Sequence, residues 1–212
     1  MPDFSLEATC WSRGLKTVAG IDEAGRGPLA GPVSAAAVIL PSGFTCVGLD
    51  DSKRLSEKRR ESIFEILTAD PDVRWSLAFA EPDEIDSINI LRATHAAMAR
   101  AALGLGTRID HCLIDGLAVP GFPMPHDGVV KGDGKSLSIA AASVIAKVAR
   151  DRRMRKHALE FPHYGFDRHK GYGTKAHLEA LRRHGPCPIH RRSFQPVSQL
   201  ELWSGPDDTE CA

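Results

Sequence analysis

The stretch AGIDEAGRGPLAGP, residues 19–32, sets two acids side by side, Asp22 and Glu23, and follows them with Gly25, Arg26 and Gly27. In a regular strand adjacent side chains point to opposite faces, so neighbouring acids would not share a ligand. In a helix the glycines and Pro28 would be out of place. The reading that satisfies both constraints is a strand over 17–23 that ends at the acids. There the chain leaves the sheet and alternation no longer separates the two carboxylates.

Working outward, PVSAAAVIL (32–40) is apolar on both faces, as a central strand covered by helices on both sides requires. It makes a hairpin-like pair with 17–23 through the glycine-rich connection. Further strands are expected at VRWSLAFA (73–80), HCLIDG (111–116) and GVVKGD (128–133). Helices fall between them. Ser56 can cap EKRRESIFEIL, whose buried side is Ile63, Phe64, Ile66 and Leu67. Residues 88–105 place Ile90, Leu91, Thr94, Ala97, Met98 and Ala101 on one helical stripe. A long helix from Ser136 to about Leu159 begins apolar all round and ends strongly basic. A hairpin followed by alternating strands and helices gives an α/β architecture with a mixed sheet. The domain reading is a flexible N-terminus (1–16), a catalytic domain (17–160), a helical C-terminal region (161–203) and a flexible tail (204–212).

Composition narrows the class. With 42% hydrophobic and 25% charged residues in 212, the chain is an ordinary globular one. No apolar run approaches the roughly 20 residues of a membrane span, so no membrane partner is expected. The start, MPDFSLEATCWSRG, lacks a basic segment followed by an apolar one, so no export is expected. Five cysteines without CxxC spacing argue against a disulfide framework or zinc site and fit the reducing cytoplasm. A monomer is expected. The formal net charge is zero, yet residues 131–192 hold 15 Lys/Arg against 5 Asp/Glu. That asymmetry is either a nucleic-acid footprint or, around RDRRMRK, the solvated face of a helix.

Two more acids occupy comparable places. Asp115 closes the strand CLID just before Gly116, and Asp133 follows VVKG. Strand ends in an α/β sheet converge on one edge, where ligand sites form. Carboxylates gathered there repel one another unless neutralised. Hard divalent cations, Mg²⁺ or Mn²⁺, take oxygen ligands and retain waters and substrate phosphates. Two such ions can stabilise both oxygens of a phosphoryl displacement.

Taken together, GIDEAGRGPLAGPV, LIDG, KGDGKSLSIAAASVIAKVARD and HKGYGT…HRRSF resemble bacterial ribonuclease HII, a type 2 ribonuclease H, over about residues 17–197. The resemblance implies a ribonuclease H-like fold with a five-stranded mixed sheet, flanking helices and a small helical C-terminal region. It implies metal-dependent cleavage of RNA in RNA–DNA hybrids and 5′ to single ribonucleotides in duplex DNA, leaving 3′-hydroxyl and 5′-phosphate ends. Carried over by position, Asp22, Glu23 and Asp115 are implied metal ligands and Asp133 the fourth acid. Gly25, Arg26 and Gly27 are implied to meet the ribose, Tyr172 the following sugar, and Lys53 the scissile phosphate. Glycines let backbone approach a sugar without a Cβ in the way. Asp50 and Asp51 are read as turn residues, and Tyr164 as a core tyrosine.

Rival readings are weaker. GVVKGDGKS has a Gly-Lys-Ser, but a P-loop needs four residues between its first glycine and Gly-Lys, and the glycine position holds Val129. Another ribonuclease H-fold nuclease would not require the adjacent acids and Gly-Arg-Gly. In the tail, Gln199, Leu200, Leu202 and Trp203 resemble short peptides that bind bacterial sliding clamps. The competing reading is a last helix packed on the body.

Overall fold

The computed structural model describes residues 1–201. Five strands, β1 (Val18–Ala24), β2 (Val33–Ile39), β3 (Arg74–Ala80), β4 (His111–Asp115) and β5 (His126–Val129), form one sheet in the order β3-β2-β1-β4-β5. The first three run antiparallel, and β4 and β5 join β1 in parallel. The mixed sheet is the one the sequence predicts. Parallel pairing brings the C-terminal ends of β1, β4 and β5 to the same edge.

The helices are α1 (Ser5–Ser12), α2 (Glu57–Ala69), α3 (Pro82–Ile88), α4 (Ile90–Gly104), α5 (Leu137–Glu160), α6 (Phe166–His169), α7 (Lys175–His184) and α8 (Val197–Glu201). On one face of the sheet Ala19, Ile21, Ala35, Ala37 and Ile114 pack with Ala97, Met98 and Ala101 of α4. On the other, Ala36 and Val38 pack with Ala140, Ala141, Val144 and Ile145 of α5, and α2 contributes Ile63 and Leu67. Small residues let α5 come very close. A Cβ at Gly20 would lie 2.1 Å from the backbone carbon of Ser138. The Ser56 side chain caps α2 through the Arg59 amide, as predicted.

Several expectations are corrected. The strand through Asp22 and Glu23 continues to Ala24, with Asp22 opposite Ala36 and Glu23 opposite Ala35. Strand alternation therefore does act on the two acids. The fifth strand is His126–Val129, and Asp133 stands in the 3-10 turn Gly132–Gly134. Asn89, at φ 69°, breaks the helix expected over 88–105 and caps α4 with its own side chain. The N-terminus is folded onto the body: Cys10 packs with Val18, Leu113 and Ile139. Buried Glu7 accepts from Ser136 Oγ (2.6 Å) and Ser138 N (3.0 Å), closing the start of α5.

The basic end of α5 is engaged internally. Arg152 pairs with Glu61 at 2.6 Å, Arg153 with Glu81 at 2.9 Å, and Arg155 with Glu57 and Glu61. Much of the charge asymmetry is thus an interface between α5 and the acidic N-terminal body. Among the described residues no helix is long and apolar enough to cross a membrane.

Candidate active site

Alternation sorts the acids. Val18 and Gly20 meet α5, whereas Ala19 and Ile21 pack toward α4. Asp22 continues the first series and Glu23 the second. In β4, Leu113 packs with Ile139, while Cys112 and Ile114 belong to the α4 side, so Asp115 falls on the same side as Asp22. Asp133 arrives from the turn. Carboxylate oxygens of Asp22, Asp115 and Asp133 lie within 4.8 Å of one another, a set that does not include Glu23.

Backbone hydrogen bonds hold this cluster. Asp22 Oδ1 accepts from Glu23 N at 2.7 Å, and Asp115 Oδ1 from Gly132 N at 2.6 Å. Burial, then Glu23, Asp115 and Asp133, push the Asp22 carboxyl well above the ordinary range. Burial followed by Asp115 and Asp51 raises Asp133. Burial also raises Glu23, against the opposing pull of Arg26. Three converging carboxylates at such cost form a hard oxygen donor set, which suits a divalent cation. Lys53 is weakly placed against them: its Nζ is 3.4 Å from Asp133 Oδ2 and its side chain is largely exposed. Burial would lower the Lys53 pKa, but Asp133, Asp22 and Asp51 together raise it.

Asp115 borders two hollows. One, about 490 Å³, is lined by Asp51, Lys53, Arg54, Lys131 and Asp133. The other contains Glu23, Arg26, Thr94, His95 and Met98. Glu23 and Arg26 form an ion pair at 3.4 Å. The Gly25–Gly27 loop leaves the sheet next to them, with Gly25 at φ 96°, a conformation that requires glycine. Tyr172, a residue 45% exposed, flanks the loop: a Cβ at Gly27 would lie 3.7 Å from its ring. Tyr164, by contrast, is buried. Asp51 serves the turn as expected, accepting from Lys53 N at 2.8 Å, and also faces the acids.

Comparison with known proteins matches this geometry to a family. The ribonuclease HII family profile matches residues 19–197. The chain belongs to the ribonuclease HII family. It is 52% identical to ribonuclease HII of Chlamydia trachomatis over 187 residues, 88% of this chain and 86% of that one. It is 51% identical to the Endomicrobium trichonymphae protein over 198 residues, 93% and 94% of the two chains. Among solved structures, ribonuclease H2 from Pyrococcus horikoshii superposes with TM-score 0.74 at 26% identity, covering 88% of this chain and 97% of that one. Ribonuclease HII of Archaeoglobus fulgidus, solved in complex with PCNA, gives 0.71 at 26% identity over 84% and 95%. The chain is a metal-dependent endoribonuclease that acts on RNA–DNA hybrids, and the acid cluster is consistent with that chemistry.

Four buried residues are not foreseen by the sequence. Arg150 and Arg191 are 1% and 0% exposed and donate only to backbone carbonyls around the Gly25–Gly27 loop. His190 receives Cys187 N on Nδ1 (2.9 Å) and meets His177 Nε2 at 3.0 Å; His177 Nδ1 meets the Tyr172 carbonyl at 2.9 Å. Read in order, a neutral His190 donates to a neutral His177, which donates to the loop carrying Tyr172. Arg150 lies within KGDGKSLSIAAASVIAKVARD and His190 and Arg191 open HRRSF, so the sequence marked these positions without showing that they are buried.

Proposed function

We propose that this protein nicks duplex DNA 5′ to single embedded ribonucleotides as well as cutting RNA in hybrids, leaving 3′-hydroxyl and 5′-phosphate ends. The observation that carries the reading is the approach of Asp22, Asp115 and Asp133 oxygens within 4.8 Å at the strand end from which the Gly25–Gly27 loop departs. Asp22 and Asp115 would hold Mg²⁺ or Mn²⁺. Asp133 flanks them on one side and Glu23 on the other, across the β1 backbone. A pair of such ions supplies charge stabilisation for the attacking and leaving oxygens of the phosphodiester.

The remaining work falls to side chains and backbone. Lys53 and Lys131 line the cleft beside the acids and offer positive charge to the scissile strand. Gly25, Arg26 and Gly27 present backbone to the ribose, and exposed Tyr172 supplies a face for the next sugar. Free cysteines among the described residues fit a cytoplasmic setting.

The test is cleavage of a DNA duplex carrying one ribonucleotide, with Mg²⁺, Mn²⁺ or chelator. A metal-dependent cut 5′ to the ribonucleotide is expected, and cutting at an unchanged rate in chelator would overturn the mechanism. A second proposal concerns the tail. A homologue was solved with PCNA, which supports engagement of a sliding clamp through Gln199, Leu200, Leu202 and Trp203. Gln199 lies in α8, while Leu202 and Trp203 fall outside the described residues. Clamp pull-down that persists after changing Gln199 and Leu202 to alanine would refute it.

A further inference from the structure

Arg191 is fully buried with no carboxylate at hydrogen-bond distance among the described residues. All three of its nitrogens are committed to one loop. Nη2 donates to the Gly25 carbonyl at 2.5 Å, Nη1 to the Arg26 carbonyl at 2.8 Å and Nε to the Gly31 carbonyl at 2.9 Å. Its own amide donates to Leu29 O at 2.9 Å. Burial, then the neighbouring Arg150, lowers its pKa to about 9. An apolar plug would fill this space at less cost than a buried cation. What a guanidinium provides, and an apolar side chain cannot, is a rigid fork that fixes the direction of carbonyl groups.

That direction has a consequence for the opposite edge of each peptide. Among the described residues the one cis bond is Gln195–Pro196, so both peptides joining Gly25, Arg26 and Gly27 are trans. In a trans peptide the C=O and N–H point in opposite directions. Drawing the Gly25 and Arg26 carbonyls inward turns the Arg26 and Gly27 N–H groups outward, beside Tyr172. Neither N–H donates to any described residue.

We propose that Arg191 is a positioning residue for sugar discrimination: its fork aims the Arg26 and Gly27 amides so that they donate to a ribose 2′-hydroxyl oxygen. A deoxyribose lacks that acceptor. The role rests on the ribonucleotide-directed activity proposed above and extends it to a buried side chain that never meets the substrate.

The experiment compares wild type with Arg191→Lys, which keeps the charge but not the fork. Affinities are measured for matched duplexes with and without one ribonucleotide, in Ca²⁺ so that the strands stay intact. Thermal melting checks the fold. The expected result is an all-DNA affinity near wild type and a ribo-to-deoxy affinity ratio about tenfold lower, the scale of one or two hydrogen bonds. An unchanged ratio, or a parallel loss of both affinities, overturns the proposal. If wild type itself shows no preference for the ribonucleotide duplex, the underlying activity fails instead, and the two failures are distinguishable. Should Arg191→Lys not fold, amide exchange on wild type decides. Protection of Arg26 and Gly27 gained with the ribonucleotide duplex alone supports the assignment, and equal protection with both duplexes refutes it.

Discussion

Asp115 Oδ1 accepts the Gly132 amide proton at 2.6 Å, and this contact ties the end of β4 to the turn that carries Asp133. Backbone geometry thus contributes to the convergence of the acids. It is a strained arrangement electrostatically, because each carboxylate raises the cost of ionising the next.

Asp22→Asn should show both sides of that arrangement. Asparagine keeps an oxygen able to accept from Glu23 N but removes a buried charge facing Glu23, Asp115 and Asp133. Cleavage should fall by about a thousandfold or more, the scale of losing several kcal/mol of charge stabilisation. In chelator, however, the variant should melt at a higher temperature than wild type. A lower melting temperature would contradict the account of the cluster.

Mg²⁺ or Mn²⁺ should raise the melting temperature of wild type in proportion to the logarithm of its concentration. A free concentration of about 100 times the dissociation constant corresponds to about 2.7 kcal/mol. The increment should largely vanish in Asp22→Asn. Equal stabilisation of both proteins would place the ion elsewhere.

Gly20→Ala should destabilise the fold by about 1–3 kcal/mol or more, since the added methyl meets α5 backbone at Ser138 and Ile139 and no side chain can rotate away. Urea unfolding measures it. Gly43→Ala is the comparison, a glycine with open space around its Cβ position, where only backbone strain at φ 86° applies.

Acid should weaken the C-terminal region through His177 and His190. Burial holds both near a pKa of about 4 in the folded chain, against about 6.5 when unfolded. Below pH 6.5 the unfolded chain takes up protons that the fold refuses. The stability is fully present above that pH and is lost as pH falls toward 4, by up to about 1.4 kcal/mol per histidine per pH unit. Urea unfolding between pH 7.5 and 5 should show this slope, reduced in His190→Asn. Identical slopes in the two proteins would exclude the pair as its source.

How much of this was legible in the sequence follows from what each residue type signals. Strand runs such as SAAAVI show their burial in composition, and the glycine-bounded acids mark a strand edge. The true relation of Asp22 to Glu23 was missed because nothing in AGIDEAGRG shows where pairing with β2 stops. Glu7 was hidden for another reason. An acid near a chain start reads as solvated, and only its contact with Ser136 reveals it as a helix cap. Arg150 and Arg191 counted toward the basic C-terminal third, and nothing in the sequence marked His177 or His190 as buried. For the arginines, all but one of the carbonyls they donate to come from segments more than 100 residues away, the exception being Lys170 O for Arg150, and no local pattern encodes that.

Helix α5 passes beneath Gly20 at Ser138 and, twelve residues later, sends Arg150 under Gly25 to the Pro32 carbonyl at 2.8 Å. These two anchorages are about 18 Å apart along the helix axis. The helix thus works as a gauge between the cutting acids and the loop beside them. One inserted residue between the anchorages would advance Arg150 by about 1.5 Å and rotate it by about 100°. The number of residues in this segment is therefore fixed by its two contacts.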